Sequence, residues 1–288
     1  MSYYDLKVSP CTHDCVNWLV RSEIKRKAMG DEFLDIRISM GSRKLSPRDM
    51  VYTGERKAWR VHNLLIPIFR CLPSARSVEI GDGEQDLSYL NFPRPVSPVL
   101  KAPSVASSIV SAYLKDKPNP VTITIRQSEF EAVRNSDVAA WGEVAAWLAE
   151  SGYTPLVVPD GEALMLGKAK TFWHKVYTPA AMSPELRLAL YEQSVCNLMT
   201  TGGPMVLALM SEVPLMSWKL IVPGLQCCTQ EHMKRSAMSP DDDWGPYKRL
   251  YWAPDQANVI IRALENELPR MALRTKPETA DVFALRAA

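Results

Sequence analysis

A chain of 288 residues is long enough to bury a sizeable core as one large or two small domains, so neither a disulfide framework nor a structural metal is needed for folding. Hydrophobic residues at 47% and charged residues at 23% are ordinary for a soluble globular protein, and 34 basic against 32 acidic side chains leave a net charge of +2. That balance carries no basic footprint for nucleic acid, which is excluded as an expected partner. The amino terminus, "MSYYDLKVSPCTHDC", has no basic region followed by an apolar core. No run reaches the ~18 apolar residues of a membrane span, so a cytoplasmic chain without a transmembrane segment is expected. Cys11, Cys15, Cys71, Cys196, Cys227 and Cys228 lie in mostly apolar contexts that suit reduced, buried thiols. "CTHDC" offers Cys11, His13 and Cys15 as ligands, yet no second pair at zinc-ribbon spacing partners it, and the expectation is no metal and no cofactor.

In chain order, "YDLKVS" reads as a short strand. "THDCVNWLVRSEIKRKAMG" reads as a helix capped by Thr12, with Cys15, Trp18, Leu19 and Ile24 at helical spacing and Gly30 as its stop, and "EFLDIRIS" as the next strand. After a basic loop (Arg43, Lys44, Arg48, Arg56, Lys57 and Arg60), "ERKAWRVHNLLIPIFRCL" is helical up to Pro73, with Trp59, His62, Leu65, Ile66 and Phe69 as its core positions. "RSVEIG" is a further strand. The strand, helix, strand rhythm points to a layered α/β unit with a parallel sheet. The prolines from Pro93 to Pro103 mark a connector, "SSIVSAYLKDK" a helix, and Pro118 with Pro120 a domain boundary near residue 118.

The second part opens with the β-branched strand "PVTITIR". The helix "NSDVAAWGEVAAWLAESGY" follows, with Asn135 or Ser136 as cap, Val138, Trp141, Val144, Ala145 and Leu148 on one face and Gly152 as stop. "TPLVVPD" completes a βαβ unit. Then come the helix "SPELRLALYEQS", the strand "VCNLMT", the turn "TTGGP", a helix from Pro204, "PLMSWKLI" as a strand or extended segment, and the helix "APDQANVIIRALENELP". The tail after Arg270 reads as loosely held.

Several positions carry chemistry. Arg126 ends a parallel strand, the edge where open α/β sheets bind ligands, and Arg134, Asn135 and Ser136 follow in a polar loop before a helix. Two guanidiniums and a helix start there would converge on an anion; the alternative is pairing of Arg126 with Glu129 or Glu131 and a solvated Arg134. Asp160 ends the next strand, where a carboxylate suits a ribose or a base, although Asp-Gly is also an ordinary turn signal. Thr201, Gly202, Gly203, Pro204 and Met205 bring a side-chain-free turn to a helix start, a natural phosphate position without the spacing of a P-loop or a GxGxxG fingerprint. His13 and Asp14 follow the first strand and are the candidates for a general base. "WGPYKRLYWAPDQ" carries four aromatics that either close over a sugar or base or anchor the last helix.

The order of these motifs is informative. Arg126 at the end of "TITIRQ", "RNS" opening a helix, "GYTPLVVPD" as the next strand and "NLMTTGGPMVLALMSEVPLMSW" further on together resemble the nucleotide-sugar-binding half of GT-B glycosyltransferases, over roughly residues 119 to 265. The nearest echo is in the fucosyltransferase-like and heptosyltransferase-like branches. The resemblance implies two Rossmann-like α/β domains facing each other across a cleft, with 1–118 on the acceptor side and 119–288 binding the nucleotide sugar. Arg126 matches the donor-phosphate arginine, and Gly202 to Met205 match the turn that meets the pyrophosphate. An HxRxGD-like sequence around Arg126 and an acceptor-side glycine loop are both absent. The implied function is metal-independent transfer of a sugar from a nucleotide-sugar donor to an unknown acceptor. The alternative is a non-catalytic nucleotide- or sugar-binding protein of the same fold.

Overall fold

The computed structural model describes residues 1–40, 54–91, 99–169, 175–236 and 238–275. Arg43, Lys44, Arg48 and the prolines Pro93, Pro95 and Pro98 lie outside the described residues. Strands β1 (Ser2–Asp5), β2 (Leu34–Ser39) and β3 (Ala75–Ile80) form a parallel sheet in the order β1-β2-β3. Helix α1 (Cys15–Met29) connects the first two; Thr12 receives the Asp14 N–H on its hydroxyl, so the helix opens through a local hydroxyl turn. It ends at Gly30, whose φ of 74° puts the amide on Arg26 O and Lys27 O, a left-handed cap that glycine enters without a Cβ clash.

The long helix expected before Pro73 is broken into α2 (Gly54–Arg60), a π-turn over Val61–Leu65, and α3 (Ile66–Arg70). The π-turn corrects the core assignment. Its extra residue, marked by the Ile66 amide reaching Val61 O, shifts the helical phase. Val61, Leu64, Leu65, Ile68 and Phe69 turn inward, His62 is exposed, and Trp59 is left half-buried.

The second sheet contains β4 (Pro120–Thr124), β5 (Thr154–Val158), β6 (Lys175–Val176), β7 (Cys196–Thr200), β8 (Leu215–Trp218) and β9 (Lys248–Leu250). All pairings are parallel and the spatial order is β6-β5-β4-β7-β8-β9. Counted from β4 this is the doubly wound order 3-2-1-4-5-6, in which the chain reverses direction across the sheet between its first and fourth strands. The central strands are buried on both faces, as near-continuous apolar runs such as "CNLMT" require. The edge strands β6 and β9 are too short to show a period and were not legible in the sequence.

Helix α4 (Ser104–Leu114) follows the proline connector. Then come α5 (Val138–Glu150), α6 (Gly161–Met165), α7 (Thr178–Met182), α8 (Pro184–Glu192), α9 (Gly203–Leu209), α10 (Gln230–Arg235) and α11 (Ala257–Thr275). The cap of α5 is Asp137, which accepts from Ala139 N and Ala140 N, and not Asn135 or Ser136 as expected; those two side chains are committed to the loop before it. Of the tail expected to be loosely held after Arg270, residues 271–275 belong to α11 and residues 276–288 lie outside the described residues. Ile260, Leu264, Leu268 and Met271 follow one another at helical spacing and all are buried, so α11 continues through Pro269.

Trp141, Val144, Ala145 and Leu148 of α5 pack with Ile123, Leu198, Trp218 and Leu264 in one apolar cluster. A second cluster runs from Tyr4, Ile38 and Phe69 through Leu100 and Val110 to Leu188 and Leu207, joining helices of both sheets in one core. Among the described residues, no helix is long and apolar enough to cross a membrane, and all six cysteines are free thiols.

Candidate functional site

The site is built where the strand order reverses. β4 and β7 are neighbours with Thr124 opposite Met199, so the segments that leave their carboxyl ends start side by side although ~75 positions separate them in sequence. Arg126 leaves β4 and Gly202 leaves β7. A Cβ placed on Gly202 would lie 3.6 Å from Arg126 Cδ, so the arginine stem runs along the glycine turn. The helix behind that turn, α9, has only seven residues, and its cap Gly202 is in fully extended backbone.

Arg126 is held by its own loop. Its Nη1 donates to Asn135 Oδ1 and to Glu131 O, and Nη2 donates to Phe130 O at 2.8 Å. Three of the five guanidinium N–H groups are thereby used, leaving the Nε and one Nη2 hydrogen for a ligand. Burial, reinforced by the charge of Arg134, brings its pKa down to about 10, which still leaves a full positive charge at neutral pH. Arg134 pairs with Glu131 at 2.6 Å, while its Nε is buried without a partner. Burial works against the Arg134 charge, and the bond to Glu131 outweighs it and raises the pKa. Glu131 itself sits at φ 51°, a left-handed conformation costly for a residue with a Cβ.

The remaining expected donor residues divide. Asn135 does not line the cavity; its Oδ1 also accepts from Ser128 N and its Nδ2 donates to Ser128 O, so it positions Arg126. Asp160 lines the cavity, but its Oδ1 accepts from Glu162 N and Ala163 N as the cap of α6, and Oδ2 accepts from Gln127 N at 3.4 Å. Thr201 donates its amide to Trp218 O and Met205 donates its amide to Gly202 O, and both line the cavity with Gly203 and Pro204.

His13 reaches the same place from the first sheet. A Cβ on Gly203 would lie 2.3 Å from His13 Nδ1, so the imidazole occupies the space that the missing side chain leaves. Burial, helped by the positive charges of Arg187 and Arg60, lowers its pKa to about 3, and the ring is neutral at physiological pH. Asp14 next to it is exposed and accepts from the Thr12 hydroxyl at 3.0 Å. A cavity of about 970 Å³ collects Asp14, His13, Arg126, Arg134, Asp160 and the glycine turn on one surface. The aromatic segment takes the anchoring role: Tyr251 stacks on Trp218 with ring centroids 5.0 Å apart, Trp244 donates to Ser239 O, and neither lines the cavity. Among the described residues, no group of three His, Cys, Asp or Glu side chains is placed to hold a metal ion.

Sequence reasoning missed Arg187, Asn17 and Cys227 on the cavity wall. For Arg187 a signal existed: it interrupts the apolar run "LRLALY", where any charge has to be buried.

No protein-family model matches the chain, and no curated protein sequence matches it. Solved structures do. The glycosyl transferase family 9 structure from Veillonella parvula superposes with a TM-score of 0.53 at 12% identity, over 93% of this chain and 97% of that one. The ADP-heptose lps heptosyltransferase II of E. coli superposes with a TM-score of 0.55 at 10% identity, over 95% of this chain and 99% of that one. At such identities the likeness is one of fold: this chain is an α/β protein with parallel sheets, consistent with those two structures.

Proposed function

We propose that the chain is a glycosyltransferase of GT-B-like build, in which 1–118 receives the acceptor, 119–288 holds a nucleotide-sugar donor, and the cavity between them is the reaction site. The observation that carries this reading is the meeting of Arg126 with the Gly202–Gly203 turn at the reversal of strand order. The donor diphosphate lies against Arg126 and the side-chain-free turn, with the Gly203 amide, which has no intrahelical acceptor, as a further donor. Because α9 is short, the guanidinium carries most of the attraction and the helix dipole little. Arg134, paired with Glu131, adds little net charge, so in this reading Arg126 and the glycine turn neutralise the diphosphate and no metal is required.

Asp14 takes the proton of the acceptor hydroxyl as its oxygen attacks the anomeric carbon. The bond from that carbon to the diphosphate breaks, and the two uncommitted N–H groups of Arg126 stabilise the charge that develops on the leaving oxygen. His13 is a poor base at a pKa of about 3; as a neutral ring over Gly203 it donates or accepts a hydrogen bond instead. Reduced thiols and the donor class fit a cytoplasmic location.

In a folded Arg126→Ala variant, diphosphate binding weakens by about 1.5–3 kcal/mol, as expected for loss of a charge-assisted hydrogen bond. Calorimetric titration with nucleoside diphosphates reads this directly, and unchanged affinity removes Arg126 from the site. Donor binding without transfer or hydrolysis, assayed over a panel of nucleotide sugars, would make the chain a binding protein of the same fold.

A further inference from the structure

Arg187 is a buried cation that the proposed diphosphate site does not use. It stands in the first turn of α8, is 6% exposed, and lines the cavity. Among the described residues, its side chain makes one hydrogen bond, from Nε to Ala180 O at 2.8 Å, and no carboxylate pairs with it. Four of its five N–H donors are therefore uncommitted. Its Nη1 and Nη2 make no hydrogen bond yet are not sealed from solvent, so these donors open onto the cavity, where a bound anion is their complement.

Its surroundings define the occupant. Passing from Arg126 along Gly202 and Gly203, a ligand meets the His13 ring, and Arg187 is close enough to act electrostatically on that ring. On the same cavity wall Asn17 Oδ1 is buried with no hydrogen-bond partner, an acceptor waiting for a hydroxyl donor. Beyond the diphosphate position, then, the cavity offers an uncompensated forked cation, a neutral imidazole and an unfilled acceptor. That set matches a hydroxyl-rich ring bearing a carboxylate, since the planar guanidinium binds a carboxylate with two parallel hydrogen bonds.

We propose that Arg187 binds a carboxylate on the transferred sugar, so that the donor is a nucleotide-linked acidic sugar of the uronic acid class. This rests on the donor site proposed above. Arg187 belongs to the same half as Arg126 and the glycine turn, which assigns the carboxylate to the donor and not to the acceptor.

The test titrates the full chain with pyrophosphate, glucose 1-phosphate and glucuronic acid 1-phosphate, following ligand binding by NMR or calorimetry. The wild-type chain binds the acidic sugar phosphate about tenfold or more tightly than the neutral one. Arg187→Met removes that preference and leaves pyrophosphate affinity unchanged, and Arg187→Lys, which keeps the buried charge should the methionine variant fail to fold, weakens the preference without abolishing it. Equal affinity for the two sugar phosphates overturns the proposal, as does a preference that survives Arg187→Met. A matching loss of pyrophosphate affinity in a folded Arg187→Met variant also overturns it, because Arg187 then serves the diphosphate. So does methyl glucuronide binding to the pyrophosphate-saturated chain without discrimination between the sugar phosphates, because the carboxylate then belongs to an acceptor. Failure of the underlying donor site has a different signature: pyrophosphate affinity unaffected by Arg126→Ala.

Discussion

Gly202 and Gly203 are neighbours in the chain and opposites in what they tolerate. Gly202 is in extended backbone, and an added Cβ would meet Arg126 Cδ at 3.6 Å, an ordinary contact. Gly203 has no such room, since its Cβ would fall 2.3 Å from His13 Nδ1. Gly202→Ala is therefore expected to fold with near-wild-type stability, whereas Gly203→Ala has to displace the imidazole and costs about 1–3 kcal/mol. Urea unfolding of the two variants compares them, and equal stabilities would mean that His13 has another place to go. His13 also sets a pH dependence. Its folded pKa of about 3 lies below the ordinary 6.5, so in acid the unfolded chain takes up the proton first and stability falls as pH drops below about 6.5. The carboxylates Glu23 and Asp35, whose folded pKa values lie below the ordinary ones of 4.5 and 3.8, add their own losses only at lower pH. Between pH 6.5 and 5, His13→Gln should flatten the stability profile, and an unchanged slope there would show that the ring is not held neutral.

At the scale of the element, the second half is written more plainly than the first. Helix α5 carries its inward face at regular spacing, and its cap was misplaced by only one or two positions because Asn135, Ser136 and Asp137 are all competent capping residues. Tertiary contacts chose among them: Ser136 accepts from the Arg126 amide and meets Thr200, and Asn135 braces the Arg126 side chain. Removing the cap in Asp137→Ala is expected to cost about 1 kcal/mol. Trp141→Ala, which empties a fully buried ring site facing Trp218, should cost about 3–5 kcal/mol. Thermal or urea denaturation orders the two, and a larger loss at Asp137 would put the weight of α5 on its end and not on its face. The π-turn at Val61–Leu65 is the counter-example, since one extra residue in a turn leaves no mark in composition but rotates Trp59 onto the cavity wall and His62 into solvent.

For the whole molecule, the deciding feature is the apolar cluster that passes from Tyr4 and Phe69 through Val110 to Leu188 and Leu207. Helix α4 precedes the boundary expected near 118 from the sequence, but it buries Ala106 and Val110 and packs against α8, which follows that position. Such a shared core predicts one cooperative unfolding transition for the chain and a 1–118 fragment that does not reach a native fold alone. Two resolved transitions in denaturant, or a folded isolated fragment by NMR, would separate the halves energetically.

The sequence by itself determined the alternation of strands and helices, the parallel character of the sheets and the positions of Arg126 and the glycine turn at strand ends. These are local facts, carried by hydrophobic period, by turn residues and by caps. The strand order was not local, and only the tertiary structure brought Arg126 and Gly202 together, because pairing of β4 with β7 depends on how two distant apolar runs pack and not on the residues near either turn. For the same reason the free donors of Arg126, the neutral His13 and the Arg187 that no carboxylate pairs belong to the folded chain alone: what each faces in the cavity is set by the packing of distant segments.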